Sequence, residues 1–259
     1  MTLQIKIQLP YSFNETGRRN NNEDSIFPEK GTTNEHDKLF IVCDGIGGYE
    51  GGEIVSNAVC KSLSSFLSKI DFFDRDIFQQ ALNAAYDELD KMCDSGIIGN
   101  RAGTTLTLLY LYEKGAFMAH IGDSRIYHLR KDEDKTKILY QSEDHSFVND
   151  LIKLGMITPE KALTHPKRNL ITKAMQPHQE QRDEAEIYET HDIKKGDYFF
   201  LCTDGVLEQL DNESLCSIFN RDISLKEKGK MIVEICRNKS KDNFSAYLIA
   251  VENVKCEML

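Results

Sequence analysis

No stretch of this 259-residue chain approaches the run of about 18 uninterrupted apolar residues that a membrane-spanning helix needs. Its opening, MTLQIKIQLPYSF, alternates apolar and polar residues like a strand and lacks the basic start and long apolar block of a secretory signal. The expected location is therefore the cytoplasm, with no membrane partner. There is also no basic run of five or more residues, and 32 Lys+Arg against 42 Asp+Glu leave a formal charge of -10. A net acidic surface repels a phosphate backbone, which argues against nucleic acid as a partner. The seven cysteines, at 43, 60, 93, 202, 216, 236 and 256, form no CxxC pair and are odd in number, so they read as reduced, mostly buried thiols. No arginine stands six residues after any of them, which removes the thiolate phosphatases. HExxH, GxSxG and GxxxxGK[ST] are likewise missing, and with them the zincin, serine hydrolase and P-loop chemistries.

What is present is 40% hydrophobic residues in a pattern that alternates between two periods. LFIVC (39 to 43), TLTLLYLY (105 to 112), AFMAHI (116 to 121), YFFLC (198 to 202) and SAYLIAV (245 to 251) are short apolar runs that read as buried strands. Ile54, Val55, Ala58, Val59, Leu63, Phe66, Leu67 and Ile70 repeat at three and four residues, and so do Phe78, Ala81, Leu82, Ala85, Leu89 and Met92. A break from Asp71 to Asp74 makes the two an antiparallel helical hairpin, and a third helix is expected over 225 to 237. Only EKG joins the runs at 105 and 116, too little for a parallel crossover, so that pair must be antiparallel. The result is a layered α+β fold. Residues 145 to 180, polar and holding Pro159, Pro166 and Pro177, read as an insertion of short helices.

Acidic residues recur where strands end or turns begin: Asp44 in CDGIGG, Asp123 in IGDSR, Asp204 in CTDGV and Asp242 in KDNF. One such residue alone is a turn cap. Four brought to one sheet edge are a different matter, since two unit charges about 4 Å apart repel by roughly 4 kcal/mol at an effective dielectric of about 20. Such a cluster needs cations, and oxygen-only ligands suit Mg²⁺ or Mn²⁺ better than zinc. Upstream, GRRNNNEDS sets two arginines shortly before Glu23 and Asp24, a guanidinium clamp for a phosphate beside a metal or else a solvated turn.

RNNNEDS, DGIGGYEGGE, AGTT, GDSRIYHLR, EDHSFVNDLIKLGMITPEKA, HPKRNLITKAM, CTDGV and KDNFSAYLI stand in an order and spacing that resembles the metal-dependent serine/threonine protein phosphatases of type 2C, the bacterial type above all. The likeness runs over about residues 15 to 251. It implies a four-layer α-β-β-α sandwich of two antiparallel sheets flanked by helical hairpins, one domain over 1 to 259 with a flap at about 145 to 180. It also implies roles for particular residues. Arg19 matches the phosphate-binding arginine, with Arg18 one residue off in spacing; Asp24, Asp44, Asp204 and Asp242 match ligands of a two-metal centre joined by the main-chain carbonyl of Gly45; Glu23 acts through a water. Asp44 bridges the ions, and Asp123 matches a third, weaker metal site. The implied reaction is hydrolysis of phosphoserine and phosphothreonine by a bridging water activated by two Mn²⁺ or Mg²⁺ ions, with phosphoproteins, a serine/threonine kinase and its targets among them, as partners.

Two departures from the family pattern are visible. Animal relatives carry histidine where this chain has Ile46, and many bacterial members carry it at the position of Tyr49, leaving a metal-bound water or Tyr49 as proton donor. Glu208 replaces the usual aspartate near the third ion. Cys43 and Cys202 read as core residues, His120 and His165 lack ligand spacing, His145 reads as ordering the loop after Asp144, and Ser124 as making a turn hydrogen bond. Two rival readings stand beside this one. Gly45, Gly47 and Gly51 give a GxGxxxG arrangement that a dinucleotide-binding oxidoreductase would follow with a parallel strand. A phosphatase fold that binds phosphoproteins without turnover is the other.

Overall fold

The computed structural model describes residues 2–47, 51–133, 135–237 and 239–257. Two antiparallel sheets lie face to face between two helical layers. The first sheet takes its strands from both chain ends and the middle: β1 (Thr2–Ile7), β13 (Phe244–Glu257), β12 (Asp197–Cys202), β9 (Arg125–Lys131) and β10 (Thr136–Gln141) in that spatial order, with β2 (Tyr11–Glu15) also paired to β13. The second runs β11 (Glu186–Thr190), β8 (Gly115–Ile121), β7 (Leu106–Tyr112), β4 (Leu39–Cys43) and β3 (Ser25–Phe27). A small ribbon, β5 (Gly45–Ile46) with β6 (Gly103–Thr104), continues from β4.

The apolar runs are continuous rather than alternating because both faces of each central strand are covered. In β4, Phe40 and Val42 face the other sheet, while Leu39, Ile41 and Cys43 face helices. In β12, Phe199 and Leu201 face inward, and Phe200 and Cys202 outward. The inner layer is completed by Met118, Tyr247 and Ile249. Outside the second sheet, α1 (Gly52–Leu67) and α2 (Arg75–Asp94) bury Val55, Val59, Leu63, Phe78, Leu82 and Ala85. Asp74 starts α2 by accepting the Ile77 amide at 2.8 Å. Outside the first sheet lie α6 (Asn212–Asn220) and α7 (Leu225–Arg237), with Leu215, Phe219, Ile232 and Cys236 turned to the strands. Between β10 and β11 the chain forms α3 (Phe147–Lys153) and α4 (Pro159–Ala162), and α5 (Asp204–Leu207) follows β12 directly.

The helical hairpin, the third helix and the antiparallel β7–β8 pairing agree with the sequence reading. The dinucleotide alternative does not survive, because β4 pairs antiparallel with both β3 and β7. Of the thiols, Cys43, Cys60, Cys202 and Cys236 are buried, Cys93 and Cys216 half-buried and Cys256 exposed. No helix of the described residues is long and apolar enough to cross a membrane.

Phe199 sits fully buried between the sheets, whereas Leu154 on the insertion is 73% exposed. Phe199→Ala should therefore cost about 3–5 kcal/mol in urea unfolding. Leu154→Ala should stay within about 0.5 kcal/mol of the parent.

Candidate active site

The antiparallel pairing explains why distant acids meet. The start of β3 lies beside the end of β4, with Ser25 opposite Cys43, so Asp24 and Asp44 become neighbours across the strand ends. The start of β13 lies beside the end of β12, with Cys202 opposite Ala246, which does the same for Asp204 and Asp242. Asp123 follows β8 in the second sheet. The same end of the sandwich thus presents acids from both sheets.

A cavity of about 1150 Å³ opens there, lined by Arg19, Glu23, Asp44, Gly45, Asp123, Asp204, Asp242 and Asn243 among others. Asp24 is not on its wall. It is buried beside it, on the wall of a neighbouring cavity with Asn22, Ser25 and Glu53, and its Oδ2 accepts from the Thr203 hydroxyl at 3.0 Å. One carboxylate oxygen each of Asp24, Asp123 and Asp204 is buried and has no protein partner. Such groups are expensive to leave unpaired.

The electrostatics match that crowding. Burial, opposed by the neighbouring Ser245 and Thr203 hydroxyls and reinforced by Asp204 and Asp242, pushes Asp24 up to about 7. Burial and Asp204 push Asp123 up to about 8, and burial and Asp242 push Asp204 up to about 6. Desolvation, and then Asp24, Asp204, Asp123 and Asp242 close by, raise the half-buried Asp44 well above the carboxylate range. Arg19 lies on the rim with its guanidinium 2.7 Å from Asp242 Oδ2, and this pairing raises its own pKa.

The backbone beneath the acids is held largely by hydroxyls and amides, with one bond from the Asn243 amide to Asp242 Oδ1 at 2.9 Å. The Asp44 carbonyl accepts from the Thr104 hydroxyl and the Thr105 amide, each at 2.9 Å, while the Asp44 amide donates to Thr105 Oγ1 at 2.9 Å. Asn243 Oδ1 accepts the Glu23 amide at 2.9 Å, and its Nδ2 donates to the carbonyls of Thr16 and Asn21. Gly45 is forced by a close approach: a Cβ there would stand 2.4 Å from the Gly52 carbonyl oxygen and 2.5 Å from that of Glu23. Thr104, Thr105, Thr203 and Asn243 were not assigned roles from the sequence, although AGTT and KDNF carried the signal.

Other expectations land differently. Ser124 pairs with the Thr105 hydroxyl at 2.7 Å across strands, in place of a turn bond. Glu208 Oε2 accepts the Lys241 amide at 3.0 Å and thereby braces the turn that carries Asp242. Tyr49 lies outside the described residues.

The protein phosphatase 2C family model matches residues 16–242, and the chain belongs to that family. Protein phosphatase PhpP of Streptococcus pneumoniae is 31% identical over 226 residues, which cover 85% of this chain and 88% of PhpP. The crystal structure of the Mycobacterium tuberculosis serine/threonine phosphatase PstP/Ppp superimposes with a TM-score of 0.80 at 25% identity, over 98% of this chain and 100% of that one. A structure of the PstP catalytic domain in complex with two manganese ions gives a TM-score of 0.79 at 24% identity, over 96% and 100% of the chains.

The raised carboxyls have a consequence for stability. Their protonation stabilises the fold fully below the ordinary value of 3.8, and this contribution is lost as pH rises through about 6 to about 8. In chelator, Tm should therefore fall from pH 5 to pH 8, and added Mn²⁺ should raise Tm more at pH 8 than at pH 5. A scanning-fluorimetry series checks this, and a chelated Tm that rises over that interval contradicts it.

Proposed function

We propose that this chain is a protein serine/threonine phosphatase that hydrolyses phosphoserine and phosphothreonine with the help of two divalent ions, manganese or magnesium. The observation that carries this reading is the set of buried, unpartnered carboxylate oxygens on Asp24, Asp123 and Asp204, gathered at the end of the sandwich where Asp44, Asp123, Asp204 and Asp242 line one cavity. An oxygen-only donor set with no sulfur or imidazole among it fits a hard cation.

Asp24, Asp44, Asp204 and Asp242, with the Gly45 carbonyl, would hold the two ions; Glu23 acts through a water, and Asp123 serves a third, weaker site. When bound, the ions supply a water of lowered pKa and positive charge for the phosphate oxygens. Arg19 contributes a planar pair of donors for the phosphate, exchanging its contact with Asp242 for one with substrate. The Thr104, Thr105 and Asn243 hydrogen bonds keep the acid-bearing turns from relaxing apart under their own repulsion. Asn169 and Ile171, from the 145 to 180 insertion, form part of the cavity wall, which supports that segment acting as a flap over the substrate. The cavity is far larger than a phosphate group and suits a phosphorylated loop of a protein. A cytoplasmic serine/threonine kinase and its targets are the proposed partners, and the chain acts as one phosphatase domain.

Release of phosphate from a phosphothreonine peptide should require Mn²⁺ and stop with chelator. Asp204→Asn should lower kcat by about 100-fold or more, since even groups that only support a metal ligand are worth about 10–100-fold. Arg19→Ala should raise KM by about 10-fold or more, as loss of a charge-assisted hydrogen bond implies, with Mn²⁺ affinity by calorimetry retained. A purified chain that binds the peptide tightly with Mn²⁺ and never releases phosphate would establish the binding protein instead.

A further inference from the structure

His120, His145 and Glu186 place one donor atom each within 4.8 Å of one another, outside the acid cluster. The two imidazoles, however, stack with centroids 4.6 Å apart and planes 6° from parallel. Lone pairs of stacked rings run side by side in their planes and do not converge on a metal at bonding distance of about 2 Å. His120 Nε2 is moreover taken up by the Glu143 carbonyl at 2.9 Å, and His145 Nδ1 by the Gly122 amide at 3.0 Å, which leaves Nε2 of His145 3.6 Å from Glu186 Oε2. The pair has a different task.

Gly122 is buried in the turn just before Asp123, with φ of +100° and Thr105 pressed so close that a Cβ would lie 2.6 Å from its methyl carbon. That turn is gripped twice by one residue: the His145 ring accepts the Gly122 amide, and the His145 amide donates to the Gly122 carbonyl at 2.9 Å. The His145 carbonyl in turn accepts the Thr172 amide at 2.9 Å, beside the Ser146–Ile171 bridge and the bond from the Phe147 amide to the Leu170 carbonyl at 2.8 Å. His145 itself is anchored. Asp144 makes a two-pronged pair with Arg125 at 2.5 and 2.7 Å, and His120, stacked on the ring, engages the Glu143 carbonyl through Nε2 at 2.9 Å. Burial, and then the neighbouring His120, push His145 down to about 3, so its ring is neutral and keeps the accepting lone pair.

We infer that His145 is a positioning residue that clasps the flap to the Asp123 turn, so that the Asp123 carboxylate and the flap residues Asn169 and Ile171 on the same cavity wall move together. The kinetic consequence rests on the phosphatase reading; the structural coupling does not.

Amide hydrogen exchange on the full chain, with and without Mn²⁺, reads the coupling directly. In the parent, the Gly122 and Thr172 amides should open together, within about threefold, and in His145→Ala both should exchange about tenfold faster or more, the scale set by losing a buried acceptor. His145→Asn, whose Oδ1 stands near the position of Nδ1 and accepts, should return both to within about threefold of the parent. With a phosphothreonine peptide, His145→Ala should raise KM and the half-saturating Mn²⁺ concentration about tenfold, more than it lowers kcat. Gly122 speeding up alone, or Asn behaving like Ala, overturns the inference. Should the Ala variant not fold, the parent decides: unequal opening of Gly122 and Thr172 overturns it. A parent without phosphatase activity counts against the proposed function only, because exchange requires no turnover.

Discussion

Mutual repulsion among acids at one end of the sandwich is the constraint around which the rest of the structure is arranged. Asp24, Asp44, Asp123 and Asp204 all sit where burial and neighbouring acids oppose ionisation, and the rim arginine, Arg19, makes direct charge contact with the cluster through Asp242. A fold can carry such a group only if its stability is generated elsewhere. Here it comes from three apolar layers, one between the sheets and one beneath each helical hairpin, that leave the strand ends free for polar chemistry.

The division of labour at those strand ends is consistent. Main-chain positions are held by neutral donors and acceptors such as Thr104, Thr105 and Asn243, while one carboxylate oxygen each of Asp24, Asp123 and Asp204 is left uncommitted. This is what a cation site requires, since an oxygen already satisfied by a protein donor has less to offer an ion. Glu208 departs from the pattern: its carboxylate is committed to the Lys241 amide, and so braces the turn bearing Asp242.

Most central elements were legible because burial on both faces writes a plain signal. LFIVC and YFFLC could hardly be anything but covered strands, and the apolar repeats at three and four residues along α1 and α2 were equally plain. The strands the sequence did not disclose lie where that signal weakens. β9 (RIYHLRK) looks too charged for a sheet interior, yet Arg130 is neutralised by Asp197 at 2.6 Å from the adjacent β12, and His128 meets the same carboxylate at 3.0 Å. β10 and β11 are outermost strands with mixed faces, and the nine-residue α6 is too short for a periodic pattern, its start being fixed by Asp211 accepting the Ser214 amide. At the site, the sequence reads His145 as ordering the loop after Asp144; its ring in addition reaches back 23 residues to Gly122, a contact that no local spacing encodes.

The sequence by itself determined the residue types at strand ends, the periods that separate sheet from helix and the family to which they belong, because these are local properties of side chains and their order. Tertiary structure alone decided which acids meet, that Asp24 is buried beside the cavity and not on its wall, and that the insertion is fastened to the Asp123 turn. The reason is that antiparallel pairing between strands as far apart as β3 and β4, or β12 and β13, sets distances that depend on register and sheet stacking, and neither is a property of any single segment.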